Sequence, residues 1–186
     1  CHNKCIFCFI DQMPKGMRET LYFKDDDARL SFLQGNYITL TNMSEHDIDK
    51  VIKYRLSPIN ISFQTTNPEL RCKMLNNRFA GDALKKVDRL NEAGIIMNGQ
   101  IVLCKGMNDG EELERSIRDL YKYLPYLESV SVVPVGLSKY RDGLYPLEAF
   151  EKEDAAYIIG TPSEDILKSN VINSTKPMNT PGRPIS

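Results

Sequence analysis

With 186 residues, 41% hydrophobic and 26% charged positions and a net charge of −1, the chain has the composition of one globular domain with room for a sizeable core. That balance excludes attraction of nucleic acid by bulk charge, and the sequence shows neither an apolar run of membrane-spanning length nor a signal peptide. Five cysteines, an odd number with three in the first eight residues, argue for metal ligation in a reducing, cytoplasmic setting rather than for a disulfide framework.

The chain opens with Cys1, Cys5 and Cys8 in C-H-N-K-C-I-F-C. Three thiolates are one short of a closed structural zinc site and of a four-cysteine iron–sulfur cluster, so the spacing leaves a coordination position for an outside ligand. A zinc site completed by His2 or a distant ligand, and reduced thiols with no metal, are the alternatives. His2, adjacent to Cys1, would strain to reach the same ion. The loop ends at the turn Pro14-Lys15-Gly16. Residues 17–33 place Leu30 and Leu33 at helical spacing, with Gly35 to close the helix. The run Asp25-Asp26-Asp27 would suit a divalent cation, but carboxylates at a helix start are favoured by the helix dipole alone.

Residues 37–42, Y-I-T-L-T-N, predict a strand, and Ser44 is placed to cap a helix from Glu45. The pattern repeats at 58–65, with Ile59, Ile61 and Phe63, before Asn67-Pro68-Glu69 opens another helix. Leu84, Val87 and Leu90 predict a helix over 82–92 that stops at Gly94. A strand over 95–104 follows, its apolar run interrupted at Gln100, then a helix over 111–123 after Asn108-Asp109-Gly110 and a strand over 129–135. Cys72 falls in a helix and Cys104 near a strand end, where both read as structural. Tyr121, Tyr123 and Tyr126 read as the amphipathic rim of a helix rather than an electron relay. Tyr140, in the charged turn 139–143, reads as a solvated loop residue rather than a proton donor. Residues 155–186 lack apolar periodicity and end rich in Pro, Ser, Thr and Asn, so a disordered tail is expected after a domain at 1–154.

Strands alternating with helices of this length imply an α/β fold with parallel pairing through crossovers, either an open doubly wound sheet or a barrel. Neither G-x-G-x-x-G nor G-x-x-x-x-G-K occurs, which speaks against a dinucleotide-binding or P-loop fold. The strand ends are polar: Thr41-Asn42, then Gln64-Thr65-Thr66-Asn67, then Cys104-Lys105-Gly106.

The spacing C-x-x-x-C-x-x-C, with Phe7 before the last cysteine, resembles the signature of the radical S-adenosylmethionine (radical SAM) enzymes. The stretches F-I-D-Q-M-P-K-G-M-R-E-T-L-Y-F-K, T-T-N-P-E-L-R-C-K-M-L-N-N and I-V-L-C-K-G-M-N-D-G-E-E-L are similar to a bacterial iron–sulfur group within that superfamily. Its members carry a PDZ-like module before the barrel and a domain of unknown function after it. The resemblance covers residues 1–154 and implies a partial radical SAM (β/α) barrel whose first strand is missing, so that the chain reads as a fragment. It further implies a [4Fe-4S] cluster on Cys1, Cys5 and Cys8, with the open iron chelating S-adenosylmethionine. An electron delivered by a reductant such as flavodoxin or ferredoxin would cleave the cofactor to methionine and a 5′-deoxyadenosyl radical that takes a hydrogen atom from substrate. Phe7 would pack near the adenine. Asn42, Thr66, Asn67 and Gln100 would hydrogen-bond the cofactor or substrate, or else satisfy strand ends and cap helices. The superfamily's glycine-glycine-glutamate motif is replaced by Thr41-Asn42, and Gln64 stands where the group has histidine. The PDZ-like module hints at a peptide or protein substrate. The competing expectation is a non-catalytic metal-binding module, or an inactive remnant whose cluster loop is poorly held. Beyond residue 154 the text departs from the group's pattern, as a truncation, a frame error, a misjoined segment or a flexible tail would produce.

Overall fold

The computed structural model describes residues 2–24, 34–151, 154 and 172–174. Their centre is a four-stranded sheet in which β1 (Ile59–Ser62), β2 (Met97–Leu103), β3 (Leu127–Pro134) and β4 (Ile172–Ser174) lie side by side in chain order, every adjacent pair parallel. Parallel neighbours require a crossover, usually helical. Here α1 (Glu45–Lys53) precedes β1, α2 (Pro68–Leu75) and α3 (Lys85–Glu92) lie between β1 and β2, and α4 (Gly110–Tyr121) links β2 to β3. This is the α/β architecture that the alternation of elements implies, a partial (β/α) barrel with parallel strands.

The helices form where local chemistry favours them. Ser44 and Asp47 close a reciprocal capping box on α1. Asn67 caps α2 ahead of Pro68, whose missing N–H is harmless in a first turn. Gly94, at φ +68°, turns the chain sharply after α3.

The two faces of the sheet differ. Ile59, Ile61, Met97, Ile101, Leu103, Val130 and Val132 are buried with Ile48 and Val51 of α1, Val87 and Leu90 of α3, and Leu113, Ile117 and Leu120 of α4. Alternation along the strands puts Asn60, Asn98, Gln100, Ser129 and Ser131 on the other face, half-buried. Asn60, Asn98 and Ser129 lie in register and form a hydrogen-bonded row. The Asn98 amide donates to Asn60 Oδ1 at 3.1 Å, and Ser129 Oγ donates to Asn98 Oδ1 at 2.7 Å.

Several boundaries differ from the expected ones for backbone reasons. The segment 37–42 makes a single parallel bridge, Ile38 to Ile61, instead of a strand, because Leu40 takes the left-handed conformation at φ +62° and turns the chain away. Likewise β1 ends at Ser62 instead of 65, since Gln64 sits at φ +66°. The helix expected over 82–92 begins as a 3-10 turn, Asp82–Leu84, before α3 proper. Within residues 17–33 the chain forms a 3-10 turn at Glu19–Tyr22, and the helix and aspartate run expected beyond residue 24 lie outside the described residues. Of the segment 155–186, Ile172–Ser174 forms β4, paired in parallel with β3. The rest of that segment lies outside the described residues.

Candidate metal centre

The cysteine loop lies across the carboxyl ends of the strands, where parallel barrels collect their active sites. Three separate anchors hold it. At its start, Asn3 is 3% exposed, and its Nδ2 lies 3.0 Å from the hydroxyls of both Thr39 and Thr41. Its Oδ1 accepts from Thr41 Oγ1 at 3.2 Å and from Asn77 Nδ2 at 2.8 Å. Next, the amides of Lys4 and Ile6 donate to the carbonyls of Leu75 and Met74 at 3.0 and 2.9 Å. Those carbonyls belong to the last turn of α2, which a helix cannot satisfy internally. At its end, Gln12 is buried, donates to Gly136 O at 3.1 Å and accepts from the Ser138 amide at 3.1 Å, while Ser138 Oγ donates to Gln12 O at 2.6 Å. The loop is thus tied to the ends of the 38–41 segment, α2 and β3.

Between these anchors Cys5 and Cys8 stand at the two ends of a turn closed by the Cys8 amide on Cys5 O at 3.1 Å. Both are half-buried. Cys1 lies outside the described residues, and among those described no three His, Cys, Asp or Glu side chains gather for a metal ion. Cys5, Ile6 and Phe7 pack on a second apolar cluster made by Met74, Leu75, Ala80, Cys104 and Val135. Phe7 is therefore half-buried against the strand ends, and Cys104, just past β2, floors the site. Burial pushes the Cys104 thiol up to about 12, so it remains a neutral thiol and an unsuitable thiolate ligand.

The other candidates divide into two groups. Asn42 and Gln100 are available. Asn42 Oδ1 is buried without a hydrogen-bond partner among the described residues, an acceptor suited to an ammonium or hydroxyl donor beside the loop. Gln100 lies on the polar face of β2, in register with Ser62 and Ser131, and its side chain makes no hydrogen bond among the described residues. Thr66 and Asn67 instead face the helices. Thr66 Oγ1 donates to Asp119 Oδ2 at 2.6 Å, and Asn67 Oδ1 caps α2 while its Nδ2 donates to Glu112 Oε1 at 3.1 Å. Gln64 is buried and structural, its Oε1 accepting from the Val102 amide at 2.6 Å.

An open cleft of about 590 Å³ adjoins the loop, lined by Asp11, Pro14, Tyr22, Lys24, Tyr140 and Asp142. Lys24 pairs with Asp11 at 2.5 Å. Burial lowers the Lys24 ammonium, but Asp11 and the neighbouring Cys8 outweigh it and hold the group above its ordinary value. A cation therefore stands beside Cys8, at the mouth of the cleft. The donor set fits a soft, thiolate-bound metal cluster, and the unpartnered Asn42 oxygen fits a polar cofactor next to it. Asn3 and Gln12, which hold the loop, carry no sequence signal beyond being polar residues inside it.

The sequence profile of the Radical SAM-like domain matches residues 1–130. No curated protein matches the chain by sequence. Among solved structures, a domain of a pyruvate-formate lyase-activating enzyme from Bacteroides vulgatus superposes with a TM-score of 0.56 at 16% identity, over 83% of this chain and 97% of that one. SuiB from Streptococcus suis gives a TM-score of 0.56 at 14% identity over 83% of this chain, which spans 36% of SuiB. At such identities these two likenesses establish the fold. With the profile spanning well over half of its residues, the chain belongs to the family of radical SAM-like domains.

Proposed function

We propose that the chain is the catalytic core of a radical SAM iron–sulfur enzyme. Cys1, Cys5 and Cys8 would hold a [4Fe-4S] cluster by three thiolates, leaving one iron for the amino and carboxylate groups of S-adenosylmethionine. Together, cluster and cofactor would supply one-electron cleavage of the sulfonium to methionine and a 5′-deoxyadenosyl radical competent to abstract hydrogen. The observation that carries this reading is the clamped loop, which fixes Cys5 and Cys8 over the carboxyl ends of parallel strands.

The chain's own residues would divide the remaining work. Asn42 offers its buried oxygen to the cofactor's ammonium where other members of the superfamily use a glycine-glycine-glutamate motif. Phe7 packs beside the cluster site and shields it from water. Gln100 presents an amide on the polar face of the sheet, where a substrate would lie beneath the cofactor. The electron would come from a small reductant such as flavodoxin or ferredoxin, in the cytoplasm, where thiols stay reduced. The substrate we favour is a peptide or protein. Among the described residues no helix is long and apolar enough to cross a membrane.

The test is anaerobic reconstitution with iron and sulfide, reduction with dithionite in the presence of S-adenosylmethionine, and chromatography for 5′-deoxyadenosine. Product from the unaltered chain and none from Cys5→Ala is the expected result. A cluster that forms without any cleavage would instead identify a non-catalytic metal-binding module or inactive remnant, and zinc in place of iron would overturn the reading.

A further inference from the structure

Arg71 is the largest fully buried side chain among the described residues, with no exposed surface. Its guanidinium is ringed by backbone carbonyls: Nε donates to Phe63 O at 2.8 Å, Nη2 to Thr39 O at 2.8 Å and to Ser62 O at 2.9 Å, and Nη1 to Ala80 O. These acceptors are neutral. No carboxylate forms an ion pair with Arg71 among the described residues; the ion pairs there are all made elsewhere. A buried charge without an opposite partner is expensive. Burial draws this guanidinium down to about 10, which still leaves it a cation at neutral pH, and among the described residues the sulfurs of Cys5 and Cys72 favour its charge.

Geometry separates the two sulfurs. Cys72 Sγ–H donates to Arg78 O at 3.4 Å while its sulfur accepts from the Gly81 amide at 3.3 Å, so that side chain is engaged by the loop that follows α2. Cys5 is different, because the amides on either side of it dock on Met74 O and Leu75 O. Those positions are three and four residues after Arg71, hence on the same face of α2, one turn along. The cysteine turn therefore sits directly beyond the turn of helix that carries the buried cation.

We infer that Arg71 is a positioning residue whose fixed positive charge, set beneath the Cys5 turn by four backbone carbonyls, offsets the negative charge of the thiolate-bound cluster and raises its reduction potential. The inference rests on the cluster reading given above. Its physics is simple: reduction adds one negative charge to the cluster, and a nearby cation in a water-poor interior stabilises the more negative state. Arginine suits the role because four of its five N–H donors are occupied by carbonyls without neutralising the charge.

The experiment compares the full chain with Arg71→Lys and Arg71→Gln after anaerobic reconstitution. It reads iron and sulfide content together with an electron paramagnetic resonance titration of the cluster against potential. Arg71→Gln should lower the ratio of reduced to oxidised cluster at a fixed potential about tenfold, equivalent to about 59 mV for a one-electron couple, whereas Arg71→Lys should stay close to the unaltered chain. If glutamine abolishes cluster loading and lysine restores it, charge is again the operative property. If lysine behaves as glutamine does, in potential or in failure to load, or if neither changes anything, Arg71 is a packing residue and the inference falls. Absence of an iron–sulfur cluster in the unaltered chain would overturn the cluster reading itself, a result separable from an insensitive potential.

Discussion

Asn3 and Thr41 exchange hydrogen bonds in both directions, Nδ2 donating to Oγ1 at 3.0 Å and Oγ1 to Oδ1 at 3.2 Å, across 38 residues of sequence. The pair fastens the start of the cysteine loop to the end of the 38–41 segment, and Thr39 and Asn77 reinforce it. This changes one expectation drawn from sequence, that the loop would be poorly held. It is held by side chains, by the end of α2 and by Gln12 instead.

Asn3→Ala removes these buried bonds at one stroke and leaves the Thr41 and Asn77 side chains to seek water, a loss of about 2–3 kcal/mol for a buried polar site. The loop should loosen while the sheet stays intact. Hydrogen exchange read by mass spectrometry should show the amides of Lys4 and Ile6 losing protection, with those of β2 unchanged, and reconstituted iron per chain should fall. Thr41→Val should do less, since Thr39 still accepts from Asn3. Equal exchange at Lys4 and Ile6 in Asn3→Ala and the unaltered chain would show that Asn3 does not anchor the loop.

The alternation of β and α elements was plain in the sequence because the core residues keep their periods: Ile59 and Ile61, then Val87 and Leu90, then Leu113, Ile117 and Leu120 all proved buried. What periodicity cannot show is where a backbone turns left-handed without glycine, and Leu40 and Gln64 shortened two strands in that way. At the site, the cysteines and Asn42 stood out because thiolates in a motif and a polar strand end carry chemistry visible in one dimension. Thr66 and Asn67 looked equally suitable, yet contacts to Asp119 and Glu112, about fifty residues on, turn them to the helical layer. Arg71 leaves only a faint trace in the sequence, a basic residue in phase with buried Met74 and Leu75 on α2. Its meaning depends on carbonyls from three separate segments, which only the fold assembles.

Asn42 should separate stability from binding. Its Oδ1 is buried without a partner among the described residues, so an apolar side chain of similar size removes a desolvated acceptor and should leave the apoprotein as stable or more so. If the same oxygen receives a charged donor of S-adenosylmethionine, losing it weakens binding by about tenfold or more. Asn42→Leu is therefore expected to unfold thermally at the same or a higher temperature, while equilibrium dialysis of the reconstituted protein shows weaker cofactor binding. A drop in both quantities would make Asn42 a structural residue.

Gly81 is required for a steric reason. A Cβ there would come within 2.8 Å of both Cβ and the carbonyl oxygen of Pro68, the first residue of α2. Backbone cannot yield as a flexible side chain does, so Gly81→Ala should push the loop after α2 away and destabilise the chain by about 1–3 kcal/mol, in the range typical of overpacking. Urea unfolding should show a lower midpoint with an unchanged slope. Gly106→Ala is a useful contrast, because a Cβ there meets nothing within 4 Å. Its left-handed φ of +69° limits the penalty to backbone strain.

Cys104 sets a pH dependence of known sign. Burial raises its thiol from an ordinary value of 9.0 to about 12, so in the fold it keeps its proton where an unfolded chain would lose it. The unfolded state binds fewer protons between these two values, and stability contributed by the buried thiol is complete below pH 9 and declines as pH rises from 9 toward 12. Cys104→Ala removes that decline. The difference in unfolding free energy between the unaltered chain and this variant, measured by urea titration, should be constant from pH 7 to about 8.5 and shrink above 9. Iodoacetamide at pH 8 should accordingly label Cys104 in urea and spare it in the native protein, since the thiolate is the reactive species. A difference that stays flat up to pH 11, or rapid labelling of the native thiol, would mean that Cys104 is open to solvent and does not floor the cysteine loop.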